Sequence, residues 1–264
     1  MSDLVYIYAN WAHTGLRKQI PGARDTYLKH IVEKIDQREA DGIFIICRRV
    51  TEYSLLTADK AREAGLDIVW GYNENPEHIK MWRFDQVIKK TRRIALCSVG
   101  IHEWIGTREI AEKYLKAAKE HDFEWICVVT HRTILEDLRD GGRLRDFFLE
   151  NNTFCICLCG YVLAGYLFDD ERMPHMLATS LKHRNLHKEF GVTVENLTEY
   201  LEPLNIISGA GTQEGLNMGS RVYVKRLGFK GIVCGTPFDL TGTDNIEIKS
   251  KPERYPEFCG GPEP

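Results

Sequence analysis

Gly42 to Cys47 reads GIFIIC, six residues with no polar position among them. A strand with one wet face would alternate apolar and polar residues. An unbroken apolar run this short suits a strand covered on both faces, as in a parallel sheet. Similar runs recur along the chain. Leu4 to Ala9 (LVYIYA) precedes it. Leu66 to Trp70 (LDIVW), Arg93 to Val99 (RIALCSV), Trp125 to Val129 (WICVV), Thr153 to Cys159 (TFCICLC), Leu204 to Ser208 (LNIIS) and Lys230 to Cys234 (KGIVC) follow, making eight in all.

Helical patterns separate most of these runs. Leu28, Ile31, Val32 and Ile35 recur at helical spacing after Asp25, and Ile110, Ala111, Tyr114, Leu115 and Ala118 do so after Thr107. Asn75-Pro76 has the form of an N-cap followed by proline in the first turn, and Thr133 to Glu136 that of a capping box. Alternating strands and helices imply parallel strands joined by right-handed crossovers, and eight such units close into a (β/α)8 barrel. An open doubly wound sheet is the alternative. The 264 residues match the roughly 250 that such a barrel uses, so residues 1–264 are read as one α/β domain, a single TIM barrel. Two irregularities stand out. The connection from the sixth run to the seventh, Gly160 to Pro203, has room for a helix from Arg172 to about Phe190, a second from Thr193, and a rim loop. Thr241 to Pro264 is rich in Gly, Pro and charge, which predicts a short, displaced or absent closing helix.

Apolar residues are 43% of the chain, charged residues 28%, and the formal net charge is −3. This composition supports a large core and lacks the basic excess of a nucleic-acid binder. The basic clusters Lys89 to Arg93 and Lys182 to Arg184 are short and read as solvated helix ends. There is no apolar run of membrane-spanning length, and Met1-Ser2-Asp3 lacks the basic start of a signal peptide, so a cytoplasmic location is expected. Most of the eight cysteines lie inside apolar runs and read as small buried hydrophobes. A homodimer is the default expectation, with neither nucleic acid nor membrane as partner.

Barrel enzymes build their sites at the C-terminal ends of the strands. The residues there are Asn10, Trp11 and His13 after the first run, and Arg48 and Arg49 after the second. Tyr72, Asn73 and Glu74 follow the third, His102, Glu103 and Trp104 the fourth, and His131 and Arg132 the fifth. Tyr161 follows the sixth, Ser208-Gly209-Ala210-Gly211-Thr212-Gln213 the seventh, and Gly235-Thr236-Pro237-Phe238-Asp239 the eighth. Arginine forks suit phosphate or carboxylate, and histidine suits proton transfer. Strand alternation turns one of Arg48 and Arg49 toward the helices. The glycine-bearing turns after the seventh and eighth runs allow backbone N–H groups close to an anion, with a helix start near Thr212 adding partial positive charge.

These two turns resemble the phosphate site of phosphate-binding (β/α)8 enzymes. The resemblance implies a small anionic, phosphorylated ligand held by Ser208, Gly209, Gly211, Thr212, Gly235 and Thr236, with Arg48, Arg49, Asn73 and Arg132 along the rim. His13, His102, Glu103 and His131 are then the acid–base candidates. A second resemblance is to the glycerophosphodiester phosphodiesterase barrel. Ala12-His13-Thr14-Gly15 is similar to that family's opening Ala-His-Arg-Gly. Asp25-Thr26, Ala40-Asp41-Gly42-Ile43, Val129-Thr130-His131 and Gly231-Ile232-Val233 through Pro237 are similar to later segments. The family binds a divalent metal through carboxylates after its second strand. Phe44 and Ile46 stand at those positions, so the resemblance implies a barrel without the usual metal site, in which His13 alone among the catalytic residues is retained. No cofactor is predicted, with a divalent metal left open.

Other groupings have simpler readings. Cys155, Cys157 and Cys159 share one strand face and read as buried packing, since neighbours two apart lack tetrahedral zinc geometry. Cys47, Cys97, Cys127 and Cys234 fall late in their strands, where they fill the barrel or line its pocket. His183 and His187 are four apart and read as a solvated helix face. Glu103 and Glu214 follow the fourth and seventh strands, as a glycosidase pair would. Three functions remain: an enzyme acting on a phosphorylated metabolite as lyase, isomerase or phosphodiesterase, a non-catalytic barrel binding an anion or partner, and a glycosidase using Glu103.

Overall fold

Residues 4–11, 22–36, 40–47, 49–72, 83–96, 107–158, 160, 167, 186–209 and 225–235 are described by the computed structural model. Its strands are β1 (Leu4–Asn10), β2 (Gly42–Cys47), β3 (Asp67–Tyr72), β4 (Arg93–Leu96), β5 (Glu124–Thr130), β6 (Phe154–Leu158), β7 (Asn205–Gly209) and β8 (Gly231–Gly235). Each pairs in parallel with the next and β8 pairs with β1, closing an eight-stranded barrel. The described helices are α1 (Ala23–Asp36), α2 (Glu52–Glu63), α3 (Phe84–Ile88), α4 (Arg108–His121), α5 (His131–Arg139), α6 (Arg143–Glu150), α7 (Leu186–Glu189) and α8 (Val194–Leu201). The protein is thus of the α/β class, built on a closed parallel barrel. No described helix is long and apolar enough to cross a membrane.

All eight predicted runs are strands, and pairing rather than apolarity sets their ends. Gly71 and Tyr72 extend β3 because they pair with Ile46 and Cys47 on one side and with Ala95 and Leu96 on the other. Glu124 joins β5 as the register partner of Arg93. In α1 the buried stripe is Tyr27, Ile31 and Ile35. The predicted stripe shifts because the Tyr27 ring packs edge-on to Trp11, with centroids 4.9 Å apart, and its hydroxyl accepts from the Asn10 N–H at 2.8 Å. The start of α5 corrects the predicted capping box at Thr133. Thr130, the last residue of β5, is itself the N-cap, and its hydroxyl accepts from the Thr133 N–H at 3.3 Å. Strand and helix therefore abut with no loop between them. The helix expected from Thr193 is α8, with Thr193 as its N-cap. The Asn75-Pro76 cap, residues 168–185 of the long connection, and the tail from 236 lie outside the described residues.

Closure determines which side chains face the barrel axis. Tyr6, Asp67, Arg93 and Phe154 belong to four different strands, yet they meet. Only the interior brings those strands together. The Tyr6 hydroxyl donates to Asp67 at 2.5 Å, and the Arg93 guanidinium pairs with the same carboxylate. Arg93 Nε also lies 3.3 Å from a Glu124 carboxylate oxygen, and its guanidinium carbon sits 4.7 Å from the centre of the Phe154 ring. Asp67, Arg93, Glu124 and Phe154 each open their strand, so this network floors the N-terminal end of the barrel. Arg93 is therefore no part of a solvated helix end, and Lys90 of the same basic cluster pairs with Asp59 at 2.5 Å. Burial, and then the Asp67 carboxylate, pushes the Tyr6 hydroxyl pKa up to about 12.

The opposite strand face is also apolar, because it meets the helices. Trp125 packs against Tyr114 of α4 and against Phe147 and Phe148 of α6. With both faces covered, the strands show no alternation in sequence.

Replacing Asp67 with alanine leaves the Tyr6 hydroxyl without its acceptor and Arg93 with one fewer partner. The expected loss, read by urea unfolding, is about 1–3 kcal/mol. The exposed Arg92–Asp122 pair is a control, and Arg92→Ala changes stability by less than about 1 kcal/mol. The raised Tyr6 pKa stabilises the fold below the unfolded value near 10, and that stabilisation is lost as pH rises toward about 12. Stability of the Tyr6→Phe variant therefore falls less steeply than wild type across that alkaline window.

Candidate functional site

Strand parity sorts the C-terminal mouth into two sets. Asn10, Ile46, Gly71, Val128, Thr130, Gly209 and Gly235 occupy inward register positions. The outward set includes Trp11, which donates through Nε1 to the Thr57 hydroxyl at 3.2 Å and packs against Tyr53 of α2. Tyr72 is outward too, with its ring 6.4 Å from Phe84 of α3, and burial raises its pKa.

Ser208 belongs to the outward set. It is buried, and a Cβ added to Gly160 would lie 2.7 Å from its hydroxyl oxygen, with Phe229 alongside. The Ser208 side chain is thus turned toward Gly160, and the residue faces the barrel axis with its backbone. His131 is the buried first residue of α5. Arg132 follows it, half exposed, with Nε 2.7 Å from Glu136 on the same helix. Arg49 is exposed. Gly209 ends β7 and Gly235 ends β8, on adjacent strands. His13, Arg48, Asn73, His102, Glu103, Gly211, Thr212 and Thr236 lie outside the described residues, as do Glu214 and His183.

The strand glycines differ in why they are glycine. A Cβ at Gly42 would meet the Tyr6 ring at 2.5 Å, and one at Gly71 would meet Phe44 at 2.9 Å. At Gly231 it would collide with the backbone carbonyl of Leu4. These three are required by packing. Gly209 is not. A Cβ there would touch Ile156 and Val233 at 3.4 Å, ordinary contact, and its φ is not in the left-handed region. The fold would accept alanine at the inner end of β7, yet the chain has a buried glycine there, with no side chain between its backbone and the barrel axis.

The β2 positions at which the phosphodiesterase family carries its metal-binding carboxylates are apolar in the folded barrel. Phe44 and Ile46 are fully buried and pack over Gly71 where carboxylates would have to stand. Among the described residues, no group of three or more His, Cys, Asp or Glu side chains could hold a metal ion. Cys155 and Cys157 do share a face, with Cys127 beside them, and all three are buried toward the helices. Cys47 and Cys127 thus face away from the pocket that their late strand positions suggested. Burial, reinforced by a hydrogen bond with Cys127, pushes the Cys155 thiol well up, away from a reactive thiolate. Cys97 and Cys159 lie outside the described residues. His187 is buried, not on a solvated face as its spacing from His183 suggested.

No protein-family model matches this chain, and no curated protein matches it.

The two kinds of glycine predict opposite outcomes. Gly209→Ala leaves unfolding stability within about 1 kcal/mol of wild type. Gly231→Ala, forced against backbone, costs about 1–3 kcal/mol or more. Urea unfolding of the two variants checks both.

Proposed function

We propose that the C-terminal mouth takes a small phosphorylated metabolite and acts on it by acid–base chemistry. The observation that carries this reading is Gly209, a glycine that neither packing nor backbone conformation requires, at the end of β7 beside Gly235 at the end of β8. A bare backbone there lets N–H groups approach phosphate oxygens, and loops after the last two strands are a recurrent phosphate site in such barrels. The sequence continues with Gly211 and Thr212 after β7 and Thr236 after β8, residues suited to the same task. His131, adjoining the mouth at the start of α5, is the acid–base candidate among the described residues, with His13, His102 and Glu103 the candidates from sequence. Arg48 or Arg49 would balance charge, with Arg132 and the neutral carboxamide of Asn73 as further binding groups.

Lyase, isomerase and phosphodiesterase chemistry all suit this set. Metal-dependent diester hydrolysis is disfavoured by the apolar packing of Phe44 and Ile46. The same packing favours one second reading, a barrel that binds its anion without turnover.

Thermal unfolding against inorganic phosphate, glycerol phosphate, sugar phosphates and neutral sugars tests the proposal. A phosphorylated compound at 100 times its dissociation constant should stabilise the fold by about 2.7 kcal/mol, and Gly209→Ala should reduce the shift. No shift with any phosphate compound, beside a shift with neutral sugars, would overturn it. Turnover of a bound compound would separate the catalytic reading from the binding one, and loss of turnover with retained binding in His131→Gln would assign His131 the acid–base role.

A further inference from the structure

The phosphate reading concerns the barrel mouth and leaves the outer helical layer unused. There, α4 turns Ala111, Tyr114 and Ala118 into the core. Beside that buried face runs a groove of about 460 Å³, lined among the described residues by Glu112, Leu115, Lys116, Lys119 and Glu120. Leu115 is half-buried and packs against the core from this flank, whereas Glu112, Lys116, Lys119 and Glu120 are exposed. Glu112 lies 3.0 Å from Arg108, and Lys116 lies 3.9 Å from Glu120, each pair one turn apart on the helix. Lys119 has no ion-pair partner among the described residues. The order of charge along this groove is self-complementary. A two-fold contact sets residue i of one copy against residue j of the other, and j against i. Glu112 and Lys119 are seven residues apart, about two helical turns, so they share one flank with Leu115 between them. Two copies of α4 packed antiparallel, with the axis beside Leu115 and Lys116, bring Glu112 against the partner's Lys119 twice over. Lys116 then lays its methylene stem across the partner's Leu115. A parallel arrangement would set like charge against like.

We infer that this flank of α4 is an interface between two copies of this chain, packed antiparallel across the groove and registered by reciprocal Glu112–Lys119 pairs. The inference is independent of the phosphate reading. One pair of helices buries less than a standard protein–protein interface, so association is weak and concentration-dependent. Salt weakens it further, because the registering charges lie at a solvent-accessible rim.

The test is sedimentation velocity of the intact chain over a concentration series at low salt. Wild type is compared with Glu112→Lys, Lys119→Glu, the double variant carrying both changes, and Lys113→Glu, a control on α4 outside the groove. Thermal unfolding first verifies that each variant is folded, as expected for exposed positions whose ion pairs contribute little to stability. Wild type should shift from monomer toward dimer as concentration rises. Each single reversal sets like charges together at both contacts and should raise the dissociation constant about tenfold or more. The double variant restores opposite charges in reversed order and should regain wild-type association, and Lys113→Glu should match wild type. A wild type that stays monomeric throughout overturns the inference. So does a dimer that both single reversals leave intact, because its contact then lies elsewhere. Association lost in the single variants and not regained in the double variant overturns the reciprocal pairing.

Discussion

The structure depends on the pairing of β8 with β1. Five register pairs, Leu4 with Gly231 through Tyr8 with Gly235, join the first strand of the chain to the last. Gly231 permits this contact, since any side chain there would strike the Leu4 backbone. Closure leaves no free sheet edge and creates an interior that residues from distant strands can share. Tyr6 of β1 and Phe154 of β6, with ring centroids 6.1 Å apart, meet only because the sheet closes.

The two ends of this interior are finished differently. The N-terminal end is floored by paired charges and Phe154, held by several strands at once. Such a network is costly to break at one partner but offers no free group to a ligand. The C-terminal end combines an apolar seal over β2 and β3 with bare backbone at the ends of β7 and β8. Chemistry is accordingly expected at the second end, in keeping with barrels generally. Phe44 and Ile46 fill the β2–β3 side of this end with hydrocarbon.

Much of the fold was legible in advance. GIFIIC and its seven counterparts marked all eight strands, and the stripe in α4 and the helix start at Thr193 were readable from local sequence. These are local signals, carried within a few residues of the feature they predict. The helix start at Thr130 was missed because one residue serves both as the end of a strand and as the cap of the next helix. Of the candidate site, Gly209 and Gly235 could be placed at strand ends from sequence. That Gly209 is free of packing constraint could not, because it depends on Ile156 and Val233 from neighbouring strands.

Local sequence sets where strands and helices lie and that the strands are covered on both faces. Which face of each strand is the inner one emerges with closure of the barrel. Arg93 turned inward from what looked like a solvated basic cluster, Ser208 and Cys127 turned outward, and Asn10 emerged as the inward residue at the β1 mouth. The reason is physical. Side chains alternate with a period of two, and a strand with one wet face reveals its phase through polar residues. A strand buried between a barrel core and a helical layer is apolar at both phases, so the phase is unreadable until closure brings the strands around a common axis.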